Sequence, residues 1–173
     1  MFDWPLLFRT ALLSGLVLSV TLTVLAVLSA SVAADMWVGD YPPDIRQKYG
    51  PMSPRAARLR PLVAASFLVA VLVVILLGLV AVRARTNDVP FLPALTFSAV
   101  ALLVFNTLDL LILDWLLFCT IQPRQMILPG TEGMAGYRDY RFHFIGFLKG
   151  LAFCGVGGLL TAGVWMVVQR LAG

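Results

Sequence analysis

Three polar side chains interrupt an otherwise apolar stretch of this sequence: Asn106, Asp109 and Asp114 in NTLDLLILDWLLFC. A carboxylate in hydrocarbon is costly, so an ionisable residue in such a run is a candidate site with a nameable partner. At about 100° per residue, Asn106 and Asp109 lie roughly 60° apart on a helix and can act together. Asp114 lies about 140° from Asp109, too far for one shared helical face. The expected partner is Lys149, with Arg141 and His143 next in reach. One reading of such a set is an ion pair that fixes helix register. The other is the polar floor of a binding site, with Asp44, Glu132, Arg138 and Asp139 of the connecting segments above it.

The chemistry open to these residues is limited. His143 is the only histidine, which excludes a bis-His haem within one chain and leaves a zinc site short of ligands. As a general base it would need Asp139 or Asp114 within hydrogen-bond reach. A hard-cation site from Asp109, Asp114, Glu132 and Asp139 is conceivable, but the expectation is no metal and no cofactor. Cys119 and Cys154 show no CxxC spacing and read as small packing residues.

The elements that must position these groups follow from composition. Hydrophobic residues make up 60% of the 173 and charged residues 13%, with a mean hydropathy of +0.92, well outside the soluble class. Four apolar runs predict spans at about residues 10–34, 62–82, 90–119 and 144–169, each near the roughly 20 residues needed to cross a bilayer as a helix. Continuous runs without period-2 alternation exclude barrel strands. The expected fold is all-α: one integral membrane domain, a four-helix bundle, with short interfacial helices in loops 35–61 and 120–143. The first run exceeds a signal-peptide core and its flank MFDWPLLFR is barely basic, so it reads as a retained span.

Charge sets the expected orientation. Four spans place Arg9, Arg83, Arg85 and Arg170 on one side, and Arg46, Lys48, Arg55, Arg58, Arg60, Arg124, Arg138, Arg141 and Lys149 on the other. The positive-inside rule then puts both long loops in the cytoplasm and both termini outside. The basic loops suit anionic lipid headgroups, and no nucleic-acid motif appears. Counting about 20 residues inward from Pro90–Pro93, and back from Gln169, brings Asp109 and Lys149 to one inner boundary.

Local signals order the loops. Asp44 can cap a short turn ended by Gly50, and Ser53 with Pro54 starts a helix that leads into span two. In LPGTEGMAGYRDYRFHF, Gly130, Gly133 and Gly136 match neither a phosphate loop nor a dinucleotide fingerprint and read as backbone freedom. The segment YRDYRFHF reads as a helix lying along the headgroups. Small residues recur every fourth position at Gly146, Gly150, Cys154 and Gly158, and a matching set runs through Gly15, Ser19 and Thr23. These stripes predict close packing on each other, on a second copy or on a partner membrane protein. Span two, nearly all Val and Leu, is expected to face lipid.

The phrases DYPPDIRQKYGPMS, NTLDLLILDW and LPGTEGMAGYRDYRFHF together resemble an uncharacterised family of small four-span bacterial membrane proteins, over nearly the whole chain. The resemblance implies the fold and the bacterial inner membrane; it carries no substrate, cofactor or catalytic residue. The leading functional expectation is a non-enzymatic partner-binding or assembly module with an ordered cytoplasmic cap. The alternatives are an interfacial lipid-headgroup enzyme or binder using Asp109, Asp114 and Lys149, and a small proton- or cation-coupled transporter.

Overall fold

The computed structural model describes residues 2–171. The chain is helical, and no strand occurs among the described residues. Helix α1 spans Trp4–Ala33, α2 Pro43–Tyr49, α3 Pro54–Thr86, α4 Phe91–Ile121 and α5 Tyr140–Leu171. All but α2 are long and apolar enough to cross a membrane. At 1.5 Å per residue, 30 residues reach about 45 Å, so these helices outrun a hydrocarbon layer of about 30 Å.

The helix starts are written in local chemistry. Asp3 accepts from the Leu6 N–H at 2.9 Å ahead of Pro5. Ser53 accepts from the Ala56 N–H at 3.2 Å with Pro54 at the first position, as expected, and the helix then runs through Pro61 into span two without a break. Gly50 ends α2 at φ +90°, a conformation that glycine adopts without steric cost. Span four differs from expectation. YRDYRFHF is not a separate surface helix: a short 3₁₀ turn covers Ala135–Arg138, and α5 begins at Tyr140 and continues unbroken. The Asp139 carboxylate accepts from the Phe142 N–H at 2.9 Å, satisfying one of the free donors of that first turn. This start brings His143 inside the helix.

Helix α4 organises the packing. It lies against α5 and α1, and α1 in turn holds α3. The two small-residue stripes therefore do not meet each other. Gly15 of α1 sits where a Cβ would stand 2.6 Å from the Val104 Cβ and 2.8 Å from the Ala101 carbonyl oxygen. On α5, Gly150 abuts Asn106, and a Cβ on Gly158 would be 3.4 Å from the Ala99 backbone nitrogen. Residues 99 and 106 fall roughly 140–160° from residues 101 and 104 around α4, so the stripes grip it from nearly opposite faces. Helix α3 is largely exposed, as expected, but buries Ile75, Gly78, Leu79 and Val82. Gly78 receives the Phe97 ring and the Ser14 hydroxyl.

The two ends differ in character. At the termini end, Leu7, Leu18, Ile75, Leu79, Phe97 and Trp165 form a solid core, closed by the Trp165 indole N–H donating to the Val89 carbonyl at 3.0 Å. At the loop end a second cluster, Val38, Tyr41, Ile45, Phe118, Cys119, Leu128 and Tyr137, joins the long connections into a cap.

Replacing Gly15 by Val should lower stability by about 1–3 kcal/mol, the usual cost of overpacking. Gly146→Val, where a Cβ meets nothing within 4 Å, should change it by less than about 0.5 kcal/mol. Denaturant midpoints in mixed micelles measure both.

Candidate functional site

The lower half of α4 is a wide helix. Up to Leu108 it is α-helical, and from Asp109 to Ile121 it takes the π form. Side-chain bonds record the change: Thr107 donates its hydroxyl to the Leu103 carbonyl, four residues back, whereas Thr120 donates to the Trp115 carbonyl, five back, at 2.7 Å. Gln122 ends the segment at φ +52°, its N–H reaching the Leu117 carbonyl at 2.8 Å. Its side-chain amide donates to the carbonyls of Cys119 and Tyr137 at 3.1 and 3.3 Å, tying α4 to the cap. π turns occur mostly as short insertions, often at functional sites.

Widening the helix re-aims the acids. When each turn closes on the fifth residue, side chains five apart come close to the same face. Asp109, Leu113, Asp114 and Phe118 accordingly all line one cavity of about 570 Å³. The 140° separation expected from an α-helical period is thereby corrected. The cavity lies under the cap, bounded by Ala26 and Ala30 of α1, Phe67 of α3, Asn106 of α4 and Phe142–Lys149 of α5. Its size falls within the common range for small-molecule sites.

The pairing also differs from expectation. Asp109 does not pair with Lys149; the close contact is His143 Nδ1 to Asp114 Oδ1 at 3.0 Å, a hydrogen-bond distance that either charge state of the ring allows. It is the only contact of this kind within 4.0 Å among the described residues. His143 is 6% exposed and its ring lies 4.8 Å from that of Phe118. Its other nitrogen, Nε2, is buried with no hydrogen-bond partner. Asn106 donates to the Phe147 carbonyl at 3.2 Å, which locks α4 to α5 beside the acids. Lys149 reaches the cavity wall but is exposed.

The remaining predicted residues divide plainly. Asp44 accepts from the Gly136 N–H at 3.0 Å, and its carboxylate fills the space a Cβ on Gly136 would need. It is a clasp between the two loops, and Gly136 is there for close approach. Gly130 and Gly133 do adopt positive φ, +79° and +74°. Glu132 is exposed and accepts from the Gly130 N–H within its own turn. Arg138 and Arg141 are exposed, and neither they, Asp139 nor Glu132 lines the cavity. The hard-cation set of Asp109, Asp114, Glu132 and Asp139 is thus not assembled, and no group of three or more metal-binding side chains occurs among the described residues.

Sequence reasoning missed the contribution of the first loop. Asp40, Trp37 and Tyr41 line the cavity, carried there by a 3₁₀ segment Ala34–Asp40. Buried Asp35 fixes that segment by accepting from the Ser53 N–H at 2.7 Å, and Trp37 donates to Ser29 at 3.0 Å. The signal available in the sequence was DMWVGDY, two acids and two aromatics immediately beyond an apolar run.

The lid is held by phenols. Tyr41 donates to the Met126 carbonyl at 2.7 Å; the Tyr137 oxygen accepts from the Leu128 N–H at 2.9 Å and pairs with the Thr131 hydroxyl at 2.7 Å. Burial pushes both phenols above the ordinary tyrosine value, for Tyr41 with a further push from neighbouring Tyr137 and Asp40. A raised folded value means stability that is complete below the unfolded value and lost as pH climbs through the folded one. Stability should therefore hold steady up to about pH 10 and fall above it. At about pH 11 the folded protein should show less phenolate absorbance than the denatured chain.

The chain matches no family model, no curated protein and no solved structure.

Proposed function

We propose that this chain is an integral protein of the bacterial inner membrane, with its termini outside and its cap at the cytoplasmic face, and that the cavity beneath the cap receives a lipid headgroup. The four long apolar helices and the nine-to-four excess of cations on the capped side support the placement. Asp109 lies 18 residues beyond Phe91, about 27 Å along the helix, which sets the cavity near the edge of the hydrocarbon layer. Lipid headgroups occupy that level.

One observation carries the reading: His143, which lines the cavity, has a buried nitrogen without a partner, and the same cavity holds carboxylates free of any ion pair among the described residues. Buried polar groups are normally satisfied. Here Asp114 orients the ring and the opposite nitrogen is left for something else. A dyad of this form can hold a ligand or act as a general base, and headgroup binding is common to both.

The full chain extracted in mild detergent should retain lipid, seen as mass adducts in native mass spectrometry. The double variant Asp109→Asn with His143→Gln should retain at least about tenfold less, the equivalent of one lost charge-assisted hydrogen bond. Equal lipid retention by a folded double variant would overturn the reading.

An assembly role is the second reading, and a single observation favours it. Although the stripes are largely consumed inside the fold, Cβ atoms on Gly155 and Gly163 of α5, about 80° apart on the helix, would meet nothing within 4 Å, leaving small residues for a second helix. If that face assembles, Gly155→Leu should convert an oligomer to a monomer by light scattering. A monomeric wild type would remove this reading.

A further inference from the structure

The groups lining the cavity narrow the headgroup to one chemical class, an inference that rests on the headgroup reading itself. Apart from Lys149, the lining side chains that keep uncommitted polar atoms are mainly acceptors. In the neutral imidazole, an Nδ1–H held by Asp114 leaves Nε2 as a lone-pair acceptor. Asp109 and Asp40 contribute carboxylates, which are acceptor-only when ionised, and neither has an ion-pair partner within 4.0 Å among the described residues. Of the donors on the lining, the Trp37 indole is committed to Ser29, the Tyr41 hydroxyl to the Met126 carbonyl and the Asn106 amide to the Phe147 carbonyl. Aromatic rings of Trp37, Phe67, Phe105 and Phe142 complete the walls.

Such a lining repels a phosphate and attracts a cation, through opposite charge and through the faces of the rings. It also requires that the cation carry hydrogen, because Nε2 of His143 is satisfied only by a donor. A quaternary ammonium offers none. A bare metal ion lacks a set of ligands, since no group of three or more metal-binding side chains occurs among the described residues. Two cations border the cavity: Lys149 is an exposed wall residue, as Asp40 is, and an Arg60 guanidinium nitrogen comes within 4.0 Å of the Cβ position of Gly39, another lining residue.

We propose that the cavity recognises a primary ammonium joined to a phosphate, as in phosphatidylethanolamine, with the ammonium donating to His143 Nε2, Asp109 and Asp40 and the phosphate facing Lys149 and Arg60. The three N–H bonds of a primary ammonium match three acceptors from three different elements: α5, α4 and the first loop. The apolar surface of Ala26, Ala30 and Ile145 gives the acyl chains their way out toward the helices' lipid-facing sides.

Native mass spectrometry of the full chain tests this with four probes. Phosphatidylethanolamine, phosphatidylcholine and phosphatidylglycerol carry the same acyl chains; glycerophosphoethanolamine carries none. Phosphatidylethanolamine should bind at least about tenfold more tightly than the trimethylated lipid or the glycerol lipid. Asp109→Asn should reduce that preference to within about twofold, with Asp40→Asn, at an exposed position, as the second variant should the first fail to fold. Equal binding of phosphatidylcholine or phosphatidylglycerol would overturn the ammonium assignment and leave the headgroup reading standing. Glycerophosphoethanolamine binding as tightly as the lipid would do the reverse, and binding of no probe would end both.

Discussion

Between Leu108 and Asp109 the helix α4 changes from α to π, and the geometry of the loop-end cavity depends on that change. In an α-helix, Asp109 would point about 140° from Asp114 and about 180° from Phe118. In the wider helix they form a column: Asp109 on the cavity wall, Asp114 against His143, and Phe118 against both the His143 ring and the tyrosines of the cap. A single helical segment therefore supplies the floor, the orienting acid and one side of the lid. The wide form leaves carbonyls free at its end, and Gln122 answers two of them, Leu117 with its backbone N–H and Cys119 with its side-chain amide.

The hollow lies between two bodies that each have an apolar cluster of their own. The termini end is packed through Leu7, Phe97 and Trp165 without needing the cap. The cap has its own apolar cluster and its own long-range ties, Asp44 to Gly136, Tyr41 to Met126 and Asp35 to Ser53. Each tie satisfies a group that burial would otherwise penalise. Between these two bodies the helices are held at a spacing set elsewhere, and side chains there are free to be chosen for reasons other than filling space.

The sequence was informative wherever the physics is local. Uninterrupted apolar runs located the four long helices, and Ser53–Pro54, Pro90 and Gly50 marked their boundaries because caps and turns depend on a few adjacent residues. Counting residues along two helices set Asn106, Asp109, Asp114 and Lys149 near one level with His143 above them, and all five line one cavity. Pairing within that level was not. Choosing Lys149 over His143 assumed an α-helical period through residue 114 and a fourth helix that began near residue 144. The wide turn changed the first and the Asp139 cap the second. Asp44, read as a local cap, serves a glycine 92 residues away, a relation that no local pattern encodes. Gly15, Gly150 and Gly158 were recognisable as packing residues, yet that α4 is what they pack on emerges only when the helices are arranged.

The acids of the site now separate by what their neighbours leave undone. Asp114 is committed: it holds His143 at 3.0 Å, and removing either partner would strand the other in a poorly solvated place. Asp109 and Asp40 are uncommitted, with no cation within pairing distance among the described residues. An ion pair that merely fixed the register of α4 and α5 would account for Asp114 and His143, and Asn106 with its bond to Phe147 already fixes that register. It would not account for two further carboxylates on the same wall, nor for a histidine nitrogen left bare at 6% exposure. The surplus carboxylates around the cavity, rather than the His143–Asp114 contact, are what the packing of α4 on α5 leaves without a role.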